Sequence, residues 1–279
     1  MKNFLWIMMA TFLLAGCNSD EKEAAKILNR AENSFYNNDF NKAKMQIDSI
    51  KMVYPKAFEV RKAGISLMQK IDLEEQNRTL VYLDSMLALK QQTLDDIKKK
   101  YILEKDAEYQ EVGNYFYPTQ TVEKNATRSF LRAQVSEMGE MFLTSIYTGK
   151  LYMHHDAIRV SVGDTFAETP ASPDRYESTY LGRVTEKCDY KAGQDGGVIG
   201  FIIAHKDKRI RLEYIGKRKY TTTMQASDVK AVVQIAELAR ILSSMDAIRK
   251  EQKEAQLKVR FITRKMQESA AARQAEAAQ

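Results

Sequence analysis

Two stretches of the chain carry apolar residues at the seven-residue spacing of long, paired helices. The first series is Leu73, Leu80, Leu87, Leu94 and Tyr101, with Leu83 and Ile97 three residues after two of its members. The second alternates steps of four and three through Ile241, Met245, Ile248, Gln252, Ala255, Val259, Ile262 and Met266. Such a stripe is one face of a helix that must be buried against a partner. The sequence therefore predicts two long coiled-coil helices, over residues 71–105 and 227–268.

Residues 108–225, between the two heptad stretches, have the composition of β structure. Short runs rich in β-branched and aromatic residues end at turn signals, at the spacing typical of hairpins. The predicted strands are residues 142–147, 157–162, 178–184, 197–204 and 209–215. This pattern predicts an antiparallel β sandwich or barrel inserted between the two long helices.

The order of these segments favours pairing of the two heptad helices within one chain. In an antiparallel pair, Leu94, Ile97 and Tyr101 would lie near residues 229–238, and Leu73 and Leu80 near residues 259–266. The first helix would be roughly 50 Å long at 1.5 Å per residue. In the alternative, each stripe pairs with a second copy of the chain and forms a homodimer.

Residues 24–70 are predicted to form a small helical module. Asp39-Phe40, Ala43, Ile47, Ile50 and Pro55 have the spacing of the second half of a tetratricopeptide repeat, and the segment resembles that family over about one repeat. Arg30 departs from the pattern. A single repeat cannot form the long groove of such arrays, so the resemblance implies a packing module. The expected fold is α+β: this TPR-like module, the antiparallel coiled-coil pair and the inserted β domain, with a flexible tail at 269–279.

The N-terminus has the pattern of an export signal. Lys2 precedes the apolar stretch from Phe4 to Leu14, which is too short to span a membrane as a helix. Leu14-Ala15-Gly16-Cys17 resembles the lipobox of bacterial lipoproteins. The resemblance implies that residues 1–16 are a signal peptide and that Cys17 carries a lipid anchoring the chain to a membrane. The alternative is an ordinary secretory signal cut after Gly16.

Two further resemblances concern lipoproteins of the Bacteroides group. Residues 17–23 form a short acidic tether, similar to the tract that directs such lipoproteins to the outer face of the outer membrane. Asp48-Ser49-Ile50 and Asp84-Ser85-Met86 resemble their O-glycan acceptor motif, which makes Ser49 and Ser85 candidate modification sites. We expect an outer-membrane location and leave open whether the chain faces the cell surface or the periplasm.

Charge and cysteine content narrow the classes of partner. The chain has 43 Lys and Arg against 37 Asp and Glu, a net charge of +6. Outside the cytoplasm, this mildly basic balance predicts anionic glycans or lipid headgroups as neighbours and does not indicate nucleic acid. With Cys17 lipidated, Cys188 has no partner, so we expect no disulfide framework and a buried, inert thiol.

The strongest charge feature is the segment 206–219. Its seven basic residues are Lys206, Lys208, Arg209, Arg211, Lys217, Arg218 and Lys219. Alternation along the predicted strand turns Ile210, Leu212 and Tyr214 to one face and Arg209, Arg211 and Glu213 to the other. One interpretation is an anion-binding patch, for instance for an acidic glycan. The other is a solvated edge strand whose charges prevent self-association.

No segment has a catalytic or metal-binding signature. His154-His155-Asp156 is a histidine cluster, but neighbours in a strand point to opposite faces, and His205 is the only other histidine. Gly193–Gly197 lacks the Lys-Ser/Thr pair of a phosphate-binding loop and is predicted to be a hairpin connection. Cys188 has no obvious base, and Asp95-Asp96 lies on a solvated helix face. We expect no cofactor and no metal.

The predicted function is accordingly binding or scaffolding. The sequence indicates a membrane-anchored envelope lipoprotein whose β domain is presented on a helical stalk to a protein or glycan partner. A periplasmic adaptor subunit of an envelope assembly is the second hypothesis. An enzyme of unknown type is the third.

Overall fold

The structure is a computed structural model that describes residues 2–106, 108–180 and 182–278, with side chains described from residue 19 onward apart from that of residue 277. The helices are α1 (Lys2–Tyr36), α2 (Phe40–Val53), α3 (Phe58–Ile97), α4 (Val122–Asn125), α5 (Val198–Ala204) and α6 (Ala226–Ala277). The strands are β1 (Ile102–Glu104), β2 (Asn114–Phe116), β3 (Phe130–Ser136), β4 (Met141–Gly149), β5 (Ala157–Val162), β6 (Thr165–Glu168), β7 (Arg175–Tyr180), β8 (Arg183–Lys191), β9 (Arg211–Ile215) and β10 (Lys219–Thr223).

The fold is α+β, as predicted, and the chain divides into two compact units. Unit 1 comprises Met1–Ser85 and Lys250–Gln279, and unit 2 comprises Met86–Arg249. The long helices α3 and α6 each contribute to both units. All strands belong to unit 2, where they form two antiparallel sheets.

Unit 1 is helical, and the connection between α1 and α2 lies at residues 37–39. Asn38 adopts a left-handed backbone (φ 61°), and the Asp39 side chain caps α2 by accepting a hydrogen bond from the Lys42 backbone N–H. Ala31 and Ala43 are fully buried where α1 and α2 pack closely. Small residues at this contact allow the two helices to approach each other, as the sequence suggested.

Unit 2 has one hydrophobic core to which both sheets and α6 contribute. The six-stranded sheet has the order β1-β2-β3-β4-β8-β7, and the four-stranded sheet has the order β10-β9-β5-β6. Their inward side chains join the first turns of α6 in a single cluster that includes Leu131, Leu143, Ile158, Leu212, Val232 and Leu238. Period-two alternation places these residues inside, while their strand neighbours face outward.

Residues 197–204 form helix α5, so the strand predicted there is wrong. The segment is continuously apolar, and such a run does not distinguish a buried strand from a buried helix. Asp195 stabilises the start of the helix, because its carboxylate accepts hydrogen bonds from the backbone N–H groups of Gly193 and Ile199. Gly193–Gly197 is therefore the entry to a helix and not the hairpin connection that we predicted.

The predicted strand 178–184 is also corrected, because it spans a hairpin. Chain reversal occurs at Gly182 (φ 70°), and β7 pairs with β8 through Tyr180 and Arg183. Residue 181 of the predicted strand, like residue 279 of the predicted tail, lies outside the described residues. Glycine is favoured at this position because a side chain would strain a left-handed backbone.

The long helices differ from the prediction at their ends. Helix α3 begins at Phe58 without a break before residue 71, and it ends at Ile97, after which the chain enters β1. Helix α6 continues to Ala277, through most of the tail expected to be flexible. Alanine-rich sequence has high helix propensity, which explains the extension.

Two contacts in unit 1 place α3 and α6 side by side in opposite directions, and a third contact, in unit 2, joins α6 to the segment that follows α3. In unit 1, Gln252 donates a hydrogen bond to Asp84 (2.6 Å), and Lys62 forms an ion pair with Glu276 (2.9 Å). In unit 2, the Tyr101 hydroxyl donates to the Gln234 carbonyl (3.1 Å). Of these three contacts, Tyr101 beside Gln234 lies within the neighbour ranges predicted for an intramolecular pair.

Candidate functional site

A hydrogen-bonded relay of serine, histidine and glutamate lies in the core of unit 2. The Ser145 hydroxyl is 2.8 Å from His155 Nε2, and His155 Nδ1 is 2.8 Å from Glu186 Oε2. Ser145 lies on β4 and Glu186 on the adjacent β8, both facing inward. The order of groups is that of a hydrolytic triad, in which the carboxylate orients the imidazole and the imidazole contacts the nucleophile.

The glutamate also holds the backbone of the loop that carries the histidine. Its carboxylate accepts hydrogen bonds from the backbone N–H groups of Met153 (2.5 Å), His154 (3.0 Å) and His155 (3.0 Å). Burial opposes ionisation of Glu186, but the hydrogen bonds from His155, His154 and Met153 outweigh it and lower its pKa. The ionised carboxylate therefore fixes this loop to β8.

The relay is closed to substrate. Ser145, His155 and Glu186 are each exposed by 1% or less. Nucleophilic catalysis needs a space beside the hydroxyl where a reacting atom can sit, and this hydroxyl faces packed side chains. Tyr214, which contacts the His155 ring edge-on at 5.2 Å between centroids, is itself fully buried. The arrangement stabilises the core and offers no access for chemistry.

The histidine neighbours do not converge on one site, although the reason differs from the predicted one. His154 is in a loop with a left-handed backbone (φ 51°) and not in a strand, and its Nδ1 lies 2.9 Å from Glu177. His205 stacks on Phe201 at the end of α5. Among the residues whose placement is described, no group of three or more His, Cys, Asp or Glu could hold a metal ion.

The buried imidazole gives unit 2 a predicted pH dependence. Burial lowers the pKa of His155 below its ordinary value of 6.5, so the unfolded chain binds this proton more readily. We expect the free energy of unfolding to fall by on the order of 1 kcal/mol between pH 7 and pH 5. Glu186, whose folded pKa is below its ordinary 4.5, adds a further loss only at lower pH.

Urea denaturation at several pH values would measure this slope, with His155→Gln and His205→Gln compared to the parent. The His155 variant should lose most of the slope between pH 7 and pH 5. The His205 variant, which removes an imidazole bonded to its own helix, should keep it. Equal slopes in all three proteins would contradict the assignment.

The thiol of Cys188 is free, buried and hydrogen-bonded, which confirms the predicted burial. It donates to the backbone carbonyl of His155 (3.1 Å), and burial raises its pKa to about 12. A thiol that stays protonated at neutral pH is a poor nucleophile. Cys188 therefore belongs to the core and not to a reactive site.

The basic segment 206–219 is divided by the hairpin that it forms. Arg209 and Arg211 line a shallow hollow with Ser161, Thr221 and Thr223. Residues 217–219 lie at the opposite end of β9, in and after the turn to β10, and Lys219 forms an ion pair with Glu213 (3.0 Å). All seven basic side chains are exposed, but they do not form one patch.

The alternative interpretation of this segment as an edge strand is wrong. Strand β9 is interior, because it pairs with β5 on one side and with β10 on the other. The charges of Arg209 and Arg211 therefore do not protect a free strand edge. Within the described part of the chain, neither guanidinium has an ion-pair partner.

A groove lies on the outer face of the six-stranded sheet, and sequence reasoning missed it. We call it the outer groove; it encloses about 280 Å³. It is lined by Gln120, Val122, Asn125, Ala126, Phe130, Arg132, Ile146, Thr148, Tyr176, Ser178, Thr185 and Lys187. These residues come from β3, β4, β7, β8 and the segment around α4. No local motif connects them, so no sequence signal could have found the groove.

The segment around α4 is fixed to the sheet by a buried glutamine. Gln120 Nε2 donates to the Leu131 carbonyl (2.7 Å), and its Oε1 accepts from the Ala133 backbone N–H (2.8 Å). Asn125 closes the segment by donating to the carbonyls of Thr119 and Thr121. This wall of the groove is therefore ordered before any ligand binds.

The remaining predicted site residues lie elsewhere. Cys17 belongs to the backbone of α1, but its side chain lies outside the described residues. Ser49 and Ser85 are within α2 and α3, and their hydroxyls donate to the carbonyls of Gln46 and Val81. Of the helices described, none is long and apolar enough to cross a membrane.

Comparisons with protein-family models, with curated proteins and with solved structures find no match to this chain. The function is therefore argued from the residues themselves.

Proposed function

We propose that this protein is a membrane-anchored envelope lipoprotein of the outer membrane, in which unit 2 binds a partner. The observation that carries the proposal is Leu14-Ala15-Gly16-Cys17 directly after an apolar stretch of signal-peptide length. A lipid on Cys17 attaches the chain to a membrane without a spanning helix. The partner is a protein or a glycan.

Binding is better supported than catalysis by the chemistry of unit 2. Its one triad-like arrangement among the described residues, Ser145–His155–Glu186, is buried. Its open features are the outer groove and the hollow beside Arg209 and Arg211, which present cations and hydroxyls. Such features orient a ligand but do not activate a nucleophile. No cofactor enters the proposal.

We also propose a specific arrangement of the helices and sheets. Residues 24–70 act as a TPR-like packing module, and α3 and α6 form an antiparallel coiled coil within one chain. The two sheets form a sandwich. Contacts such as Gln252 with Asp84 support the intramolecular pair over a homodimer through the heptad stripes, because they satisfy polar groups beside the stripe internally.

Membrane attachment is tested by Cys17→Ser. The wild-type protein, expressed in its native host, is expected in the outer-membrane fraction, and the variant in the soluble envelope fraction, because the variant lacks the thiol that accepts the lipid. Cys188→Ser is the matched control and should fractionate like the wild type. Equal membrane retention of the Cys17 variant would contradict the proposal.

A second function, as a periplasmic adaptor of an envelope assembly, is favoured by the surface of unit 1. Met45, Met52, Val53, Phe58 and Ile65 are each at least 60% exposed. Large apolar side chains exposed on one unit are candidates for contacts with other proteins. Protease treatment of intact cells separates the two hypotheses. Cleavage of unit 2 before the outer membrane is breached indicates surface display, and protection until breach indicates the adaptor.

A further inference from the structure

We propose that the outer groove binds a sugar unit that carries a carboxylate, such as a uronic acid residue of a glycan. The inference rests on the proposed binding function and names its ligand class. It places the ligand at the outer groove and not on the basic segment 206–219. Three features of the groove support it: an unpaired cation beside an aromatic ring, a largely buried guanidinium, and a row of hydroxyls.

Lys187 provides the unpaired cation. It lies on β8 facing outward, and within the described part of the chain its ammonium group has no ion-pair or hydrogen-bond partner. Its ammonium group is 5.8 Å from the centre of the Tyr176 ring on the neighbouring strand β7. Tyr176 is 59% exposed. A sugar ring stacked on this tyrosine would hold a ring carboxylate within reach of the ammonium group.

Arg132 provides the second cation. Its guanidinium lies 3.7 Å from the centre of the Phe116 ring, and its side chain is only 14% exposed. The Nε atom is buried without a hydrogen-bond partner. Its ion pair with Glu104 is long (3.3 Å), and the Glu104 side chain is half exposed. Because this atom has no contact with solvent, Arg132 contributes positive charge to the groove wall and not an open donor.

The charges nearby favour a ligand with one negative charge. Glu104 pairs with Arg132, and Asp189 and Glu123 add negative charge near the same guanidinium. None of the twelve lining residues is acidic, and the Lys187 ammonium group is the lining cation without a paired carboxylate among the described residues. A single ligand carboxylate can pair with this ammonium group, whereas a polyanion would also meet the nearby carboxylates.

Hydroxyl groups and an apolar floor complete the match to a sugar. Thr148, Thr185 and Ser178 lie in one row across β4, β8 and β7 and face the groove. Ile146 forms part of the floor. Hydroxyls that both donate and accept suit the hydroxyls of a saccharide, and the apolar floor suits its C–H face. A cavity of about 280 Å³ is suited to one sugar unit and not to a folded peptide.

The test is a ligand-observed NMR titration of the full-length protein in detergent with two matched probes. Methyl glucuronide carries the carboxylate, and methyl glucoside differs from it at that position alone. We expect saturable binding of the glucuronide and roughly tenfold or weaker binding of the glucoside, as for loss of a charged hydrogen bond. No saturable glucuronide binding, or equal binding of both sugars, would overturn the inference.

Variants locate the site. Lys187→Met should weaken glucuronide binding roughly tenfold, to the level of the glucoside, and Tyr176→Ala should weaken both probes. Lys191→Met is the matched control: it is on the same strand and pairs with Glu140 (2.7 Å) away from the groove lining, so binding should not change. Circular dichroism and melting temperatures confirm that each variant is folded. Unchanged binding by folded Lys187→Met would overturn the assignment.

The double variant Arg209→Gln, Arg211→Gln separates this inference from the proposed function. If it abolishes glucuronide binding while Lys187→Met does not, the ligand occupies the hollow on the four-stranded sheet. The assignment of the ligand to the outer groove is then wrong, while the proposed binding function is unaffected. Fractionation of Cys17→Ser tests anchoring independently of either result.

Discussion

Replacing Glu186 with alanine is expected to lower the free energy of unfolding of unit 2 by about 3–5 kcal/mol. The carboxylate is buried and accepts hydrogen bonds from three successive backbone N–H groups and from the His155 ring. Its removal leaves three buried donors and one partly buried donor without an acceptor, and each unsatisfied buried donor costs about 1–3 kcal/mol. The cavity left by the side chain adds to this loss.

Hydrogen exchange measured by mass spectrometry reports this effect locally, since a chain of two units need not unfold in one step. The amides of Met153, His154 and His155 should be strongly protected in the parent and exchange freely in Glu186→Ala. Glu177→Ala is the matched control, because its partially exposed carboxylate contacts only the His154 ring, and it should cost below about 1 kcal/mol. Should the alanine variant not fold, Glu186→Gln keeps one acceptor oxygen and is expected to show an intermediate loss. Unchanged protection in a folded variant contradicts the proposed role of the carboxylate.

The second large effect is expected at the ion pair between Arg128 and Asp228. Two guanidinium nitrogens donate to the two carboxylate oxygens, each at 2.6 Å. Asp228 is 2% exposed in the first turn of α6, where the helix dipole also favours a negative charge. Asp228→Asn should therefore lower the free energy of unfolding by about 3 kcal/mol, since the guanidinium loses its charged partner.

A double-mutant cycle with Arg128→Met measures the interaction itself. The double variant should lose less than the sum of the two single variants. The same cycle on the exposed pair Lys191–Glu140 provides the comparison, and its coupling should stay below about 1 kcal/mol. Equal coupling energies at the two pairs would show that burial of Asp228 contributes nothing.

These two sites show which part of the interior the sequence could not predict. Strands β4, β5 and β9 were predictable because each is a short run rich in β-branched or aromatic residues, and in β9 the apolar and polar residues also alternate. Ser145, His155 and Glu186 have no sequence pattern that predicts their burial or their contacts. Each occupies an ordinary alternating or loop position, and their contacts join residues 10 and 31 positions apart. Only the pairing of β4 with β8 brings them together.

The two candidate binding surfaces also show that closeness in sequence and closeness in the fold differ. The seven basic residues at 206–219 are close together in sequence and could be found there, but the β9–β10 hairpin separates them in space. The outer groove is the opposite case. Arg132, Thr148, Tyr176 and Lys187 are distant in sequence and adjacent in the folded sheet. A site composed of two residues from each of four strands and four residues from the segment around α4 has no continuous sequence motif.

Helix α5 shows a different limit. Val198, Ile199 and Ile202 are buried. The sequence around them is apolar at nearly every position, so it has neither the two-residue period of a strand nor the 3.6-residue period of a helix. The group that favours the helix is the Asp195 carboxylate, which accepts a hydrogen bond from the Ile199 backbone N–H in the first turn of α5. An aspartate between glycines is equally typical of a loop, so its capping role becomes visible only in three dimensions.

The central proposal is that a lipid on Cys17 attaches this chain to a membrane, and the mass of its N-terminal peptide tests that proposal most directly. The protein is recovered from membranes of its native host, digested, and its N-terminal peptide is measured by mass spectrometry. We predict a peptide that begins at Cys17 and carries a thioether-linked diacylglycerol. A peptide that contains residues before Cys17, or one that begins at an unmodified Cys17, would contradict the account.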